Sequence, residues 1–230
     1  LAASLVLIPL LTADAAQAGR WSWTAVFAAA LLLAGTAPWT RGVAGHPLSA
    51  VAITLLGAVL IGGALSYPLH LRHLDPLGGA VRGAALVAFP IALAWVGDTC
   101  AFFAGRAWGR RKLMPSVSPG KTVEGAIANA AGTVVLGAVY AWLVLGRWQG
   151  LPIGPVAGAV AGLIISPVAQ VGDLAESLLK REAGVKDSGR LLPGHGGILD
   201  RFDSMFFAVP VAYWYFADLL PLWIADLPWR

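Results

Sequence analysis

Residues 47–67 read PLSAVAITLLGAVLIGGALSY, without one charged side chain. A helix crosses the bilayer core in about 20 predominantly apolar residues, so this stretch reads as a membrane span. Working outward, comparable runs cover 21–38, 80–104, 122–146, 151–179 and 204–225. A weaker run covers 1–18. It contains Pro9, and its tail ADAAQA (13–18) resembles a signal-peptidase site, although no basic segment precedes it. The expectation is an all-α, polytopic helical membrane protein of about seven spans, with residues 1–230 forming a single integral membrane domain. The chain begins at Leu1 rather than Met, which reads as a fragment or trimmed form.

Composition agrees. Of the 230 residues 58% are hydrophobic and 12% charged, against about 25% charged in soluble domains. Disorder is excluded by this apolar bulk, and a disulfide scaffold by the lone Cys100. The net charge of +4 does not indicate nucleic acid, because the basic residues sit in short loops between apolar runs. Two of those loops are long. One, 105–121, carries Arg106, Arg110, Arg111, Lys112 and Lys121; the other, 180–203, carries Lys180, Arg181, Lys186, Arg190 and Arg201. Two spans separate them, so they lie on one side, which with Arg41 holds 11 of the 16 Lys and Arg residues. The positive-inside bias puts that side in the cytoplasm, and the expected location is the inner membrane.

Acidic residues inside spans are costly and point to function. Asp98 lies deep in the run 80–104. Asp173 and Glu176 lie late in the run 151–179. Helical spacing puts Gln170, Asp173, Ser177 and Lys180 on one face, which must point into protein or water rather than lipid. For Asp98 the plainer reading is a paired interhelical carboxylate; for the Asp173 face a proton or ion relay stays open.

The second loop, KREAGVKDSGRLLPGHGGILDRFDS (180–204), interleaves cations with Asp, His and Gly. Asp200 and Asp203 are three apart, and a helix starting there places both on one face. With Asp173 they could supply hard oxygen ligands for Mg²⁺. Lys180, Arg181, Lys186 and Arg201 could hold phosphate oxygens. A solvated anchoring loop explains the cations but not the Asp, His and Gly. His195, with no second His or Cys near it, does not make a zinc site.

The first loop holds SPGKTVEG (118–125). Its Gly-Lys-Thr matches the end of a P-loop, but position 115 is Pro instead of Gly, and no β-strand is expected before it. Backbone N–H groups at the start of the next helix, with Lys121, could still receive a phosphate. Ser118 or Thr122 as N-cap and Glu124 in the first turn fit ordinary capping equally well. His46, His70 and His73 receive no role, and Cys100 reads as a small apolar residue.

On the residues 180–204, and on GDLAES (172–177), SPGKTVEG (118–125) and GDTCAF (97–102), the chain closely resembles the phosphatidate cytidylyltransferases, or CDP-diacylglycerol synthases. At Phe102 that family more often has Tyr. The specific resemblance spans about 97–204; residues 1–80 share only apolar helical character. The resemblance implies that CTP and phosphatidate give CDP-diacylglycerol and pyrophosphate. It implies dependence on Mg²⁺, with K⁺ as an accompanying ion, and a homodimer. It makes Asp173 and Asp200 the metal-binding pair, and matches Ser177, Lys180 and Asp203 to other polar positions of that site. The expected catalytic set is Asp173, Asp200, Asp203, Lys180 and His195. Substrate binding is expected from Ser118, Lys121, Ser177, Arg181, Lys186, Asp187, Arg201 and Asp98. Two rivals are a related enzyme acting on an isoprenoid glycerol phosphate or polyprenol, and an ion-coupled transporter using Asp98 and Asp173.

Overall fold

The computed structural model describes residues 22–40, 44–75, 79–189, 197 and 199–223. The helices are α1 (Ser22–Thr40), α2 (Pro47–Arg72), α3 (Gly79–Trp108), α4 (Val123–Trp148), α5 (Pro155–Glu182), α6 (Leu199–Phe202) and α7, which starts at Met205–Trp214. The last turns of α4, Ala141–Trp148, are π-helical. So are Tyr215–Leu219 of α7, which ends with Leu220–Trp223. Among the described residues five helices, α2 to α5 and α7, are long and apolar enough to cross a membrane. α1 adds a shorter apolar helix, Phe27–Ala37. The chain is thus an all-α multi-pass membrane protein, and its helices fall where the apolar runs put them. The expected run 1–18 lies outside the described residues.

The chain separates into two compact units, Leu1–His70 and Leu71–Arg230. In the first, Leu55 packs against Ala29 and Ala58. In the second, α3, α4, α5 and α7 form a bundle. Helices in lipid gain little from hydrophobic association, so close backbone approach at small residues drives their packing. That approach is visible where Gly158 and Gly162 of α5, four apart, face Gly137 and the Thr133 carbonyl of α4; a Cβ on either would collide with backbone. Gly97 of α3 lies against the side chains of Asn129 and Thr133 of α4, which a Cβ there would strike. Tyrosine hydroxyls find backbone acceptors inside the bundle, Tyr140 at Ala85 O (3.0 Å) and Tyr215 at Ala157 O (2.7 Å). At the α2–α3 turn Arg82 pairs with the buried Asp75 at 3.2 Å.

One element departs from expectation. The segment 105–121, expected as a loop free of strands, contains an antiparallel hairpin of β1 (Lys112–Met114) and β2 (Ser118–Thr122). Three- and five-residue strands leave too short a pattern to be read from alternation. Glu124, in the first turn of α4, holds the hairpin by accepting from the N–H groups of Arg110 (3.1 Å) and Arg111 (3.3 Å). The helix itself is capped by Thr122, whose hydroxyl accepts from Gly125 N at 3.1 Å. Among the described residues the sheet that enters α4 is this two-stranded antiparallel hairpin, not the parallel sheet from which a P-loop springs.

Candidate active site

The hairpin, the C-terminal half of α5 and the segment around α6 converge on one end of the bundle, around a cavity of about 750 Å³. Gly105 and Gly109 make that approach feasible at the hairpin, since a Cβ on either would strike Thr122. Gly172 does so on α5. A Cβ there would lie 3.0 Å from the Asp203 carbonyl and 2.7 Å from the Phe207 ring. The bare backbone at Gly172 is therefore what admits Asp203 to the neighbourhood of Asp173.

Asp98, Ser118, Lys121, Asp173, Asp200 and Asp203 all line this cavity. Lys121 Nζ lies 2.6 Å from Asp173 Oδ2, and Ser177 donates weakly to Asp173 Oδ1 at 3.5 Å. Asp203 is held by its own neighbour, Ser204 N, at 2.6 Å. Burial, then the negative charge of Asp173, push the Asp203 carboxyl above the usual range, against the opposing effect of Ser204. The Asp200 carboxylate accepts four hydrogen bonds: from Lys180 Nζ (2.6 Å), Gly197 N (2.7 Å), Ser188 Oγ (2.8 Å) and Ser188 N (2.9 Å). Burial works against its ionisation, but these bonds outweigh burial and hold its pKa below the carboxylate range. Gly197 has no room for a side chain beside Ser188 and Gly189.

Asp200 and Asp203 both line the cavity but take different partners. α6 is one turn and ends before Asp203. Asp200 accepts from Lys180 and Ser188, while Asp203 accepts from Ser204 N and feels the negative charge of Asp173. Lys180 does not line the cavity; it sits behind it, bridging Asp200 and the buried Glu176, each at 2.6 Å. Arg181, Lys186 and Asp187 are exposed and away from the cavity lining. His195 and the side chain of Arg201 lie outside the described residues.

Four residues outside the expected catalytic and substrate-binding sets support the site: Asn129, Ser166, Gln170 and Glu176. Asn129 of α4 donates to Asp98 Oδ1 at 3.4 Å and accepts from Ser166 Oγ at 2.7 Å; Gln170 donates to that hydroxyl at 3.1 Å. This chain of bonds seats Asp98 between three helices. An asparagine within an apolar run was the signal for it, by the same cost argument that singles out Asp98. Glu176 was visible as an intramembrane acid, but its partnership with Lys180 and Asp200 was not.

Among the described residues, no three His, Cys, Asp or Glu side chains form a metal-holding group by themselves. Mg²⁺ does not require one, since it takes one or two carboxylates together with water and substrate phosphates. Asp173 and Asp200 bring carboxylate oxygens to the cavity wall, Asp173 with an ammonium on one oxygen, and Asp200 with four hydrogen bonds across both of its oxygens, part of which a bound cation would displace. That donor set fits a hard cation.

The geometry is one of four aspartates and Lys121 around a cavity at one end of the helical bundle, and the sequence comparisons agree with it. A profile of the cytidylyltransferase family matches residues 1–219. The chain belongs to this family. Within it, the chain is 43% identical over 140 residues to a phosphatidate cytidylyltransferase of Synechocystis, covering 61% of this chain and 46% of that protein. It is 41% identical over 167 residues to the Bacillus subtilis phosphatidate cytidylyltransferase, covering 73% and 58%. With the Brucella suis phosphatidate cytidylyltransferase it shares 48% over 133 residues, covering 57% and 46%. The chain thus spans about half the length of the curated relatives it matches.

Proposed function

We propose that this cytidylyltransferase-family chain carries the catalytic core of a CTP:phosphatidate cytidylyltransferase, making CDP-diacylglycerol and pyrophosphate. The observation that carries the reading is the convergence of the 118–122 strand, with Lys121, and of Asp98, Asp173, Asp200 and Asp203 on one cavity. Relatives named for this activity support it. The phosphate of phosphatidate is already an anionic nucleophile, with a second pKa near ~6 as for other phosphate monoesters. No enzyme nucleophile is needed. A lipid phosphate oxygen bonds to the α-phosphorus of CTP, the bond to the β-phosphate oxygen breaks, and its electron pair leaves on pyrophosphate. Catalysis is then positioning and charge neutralisation.

In this reading Lys121 and Ser118 hold the triphosphate from the hairpin side. Lys121 exchanges its contact with Asp173 for phosphate oxygens. Lys180 fixes the Asp200 carboxylate through its 2.6 Å contact, while Asn129 orients Asp98. Arg181, Lys186 and Arg201 contribute positive charge towards the phosphates, Asp187 belongs with the substrate-binding set, and His195 orients phosphate or assists a proton transfer. Asp173 and Asp200 would hold Mg²⁺, which when bound neutralises charge on the triphosphate. A homodimer in the inner membrane, with the site-bearing end in the cytoplasm, completes the proposal.

The test is cytidylyl transfer by the purified chain in detergent, with radiolabelled CTP and phosphatidate, with and without Mg²⁺. Label should enter a lipid product only when phosphatidate and Mg²⁺ are both present. A folded protein that transfers no label to any of several lipid phosphates, with any of several divalent metals, would sink the reading.

A further inference from the structure

Trp95, Thr99, Phe102 and Arg106 follow one another at spacings of four, three and four, so they stack along one face of α3. All four are exposed, and all four line the cavity that also holds Asp98, Lys121 and Asp173. The aromatic members are far from covered, Trp95 at 63% and Phe102 at 60% exposure. Arg106 lies in the last turn of the helix. At 1.5 Å per residue, Trp95 is roughly 16 Å deeper along the axis than Arg106, about half the ~30 Å hydrocarbon thickness. Aromatic residues that anchor a helix sit at headgroup level; that accounts for Trp108 at the helix end but not for Trp95 near its middle.

A wall that is apolar at depth and cationic at the top, opening onto a floor of carboxylates, suits a ligand with two unlike ends. Thr99 offers no second ionic anchor; its hydroxyl donates to Trp95 O at 2.8 Å. Arg106 makes no ion pair among the described residues, whereas Lys121, Arg111 and Lys180 each face a carboxylate. A guanidinium presents a fork of donors that matches phosphate oxygens.

We propose that this stripe of α3 is a lipid-phosphate subsite, in which the acyl chains of a phosphorylated glycerolipid lie along Phe102 and Trp95 and its phosphate meets Arg106. The identity of that lipid as phosphatidate rests on the function proposed above; the placement of the subsite rests on α3 alone. A triphosphate shares the anionic chemistry of the lipid headgroup, but it has no use for an aromatic wall reaching to mid-bilayer.

The test is photolabelling of the whole chain in lipid nanodiscs, without CTP, by phosphatidate carrying a diazirine in its acyl chain. Label should map to α3 between Trp95 and Phe102, and be displaced by unlabelled phosphatidate but not by diacylglycerol. Losing hydrogen bonds from a charged donor in Arg106→Gln should weaken labelling roughly tenfold or more. It should raise the phosphatidate KM by a similar factor and leave the CTP KM within about twofold, with Arg106→Lys restoring part of the loss. Label on other helices, or labelling indifferent to Arg106→Gln, overturns the proposal. A rise confined to the CTP KM also overturns it and assigns Arg106 to the triphosphate. Label on α3 in a protein that transfers no nucleotide upholds the subsite while the cytidylyltransferase reading fails; transfer with label elsewhere does the reverse.

Discussion

Lys180 is the residue whose removal should be felt most. Its ammonium lies 2.6 Å from Glu176 and 2.6 Å from Asp200. The three side chains are only 16%, 6% and 10% exposed, so water does little to screen them. Lys180→Met leaves two carboxylates facing each other across the space the ammonium filled. The two contacting oxygens cannot be further apart than about twice that contact distance, which at an effective dielectric constant of ~20 makes their repulsion about 3 kcal/mol. Breaking a buried ion pair by deleting one partner costs about 3–5 kcal/mol. The single variant should therefore lose a large part of a typical stability of about 5–15 kcal/mol, and with it the placement of Asp200 at the cavity. The double variant Lys180→Met/Glu176→Gln removes the repulsion and should recover about half the loss or more. The check is the midpoint of thermal unfolding in detergent, read by size-exclusion chromatography after heating, for the wild type, both single variants and the double. A double variant no more stable than Lys180→Met alone would refute the idea that Lys180 is needed to neutralise two acids.

Gly172→Ala pushes a methyl group against the Asp203 carbonyl and the Phe207 ring. Since an ångström of misplacement costs roughly a hundredfold in rate, turnover should fall about ten- to a hundredfold while membrane insertion persists; normal turnover would show that Asp203 need not be held so closely. Lys121→Ala should raise the CTP KM more than the phosphatidate KM, and the reverse result in steady-state kinetics would move the hairpin to the lipid. The lowered pKa of Asp200 means that its stabilising contribution is complete above the ordinary carboxylate pKa and is lost as pH falls towards the lowered folded value. Hydrogen exchange at 188 and 197 should therefore increase, beyond the intrinsic pH effect, between about pH 4 and pH 2 in the wild type; Asp200→Asn should show no such added rise, and an equal rise in both would exclude Asp200 as the cause.

Hydropathy determined the fold class from sequence alone, because the cost of placing polar groups in hydrocarbon is local and additive along the chain. The same cost made Asp98, Asp173 and Glu176 conspicuous, and spacing along one helix put Gln170 and Asp173 on the cavity wall. Only the tertiary structure decided partners. Lys180 reaches across twenty residues to Asp200, and Lys121 reaches from the hairpin to α5; a one-dimensional pattern contains neither separation. The hairpin itself was too short to show a period. Asp203 was admitted beside α5 by the missing side chain of Gly172. These are matters of close packing, in which a single methyl group decides which backbone can approach which, and so they belong to the assembled bundle.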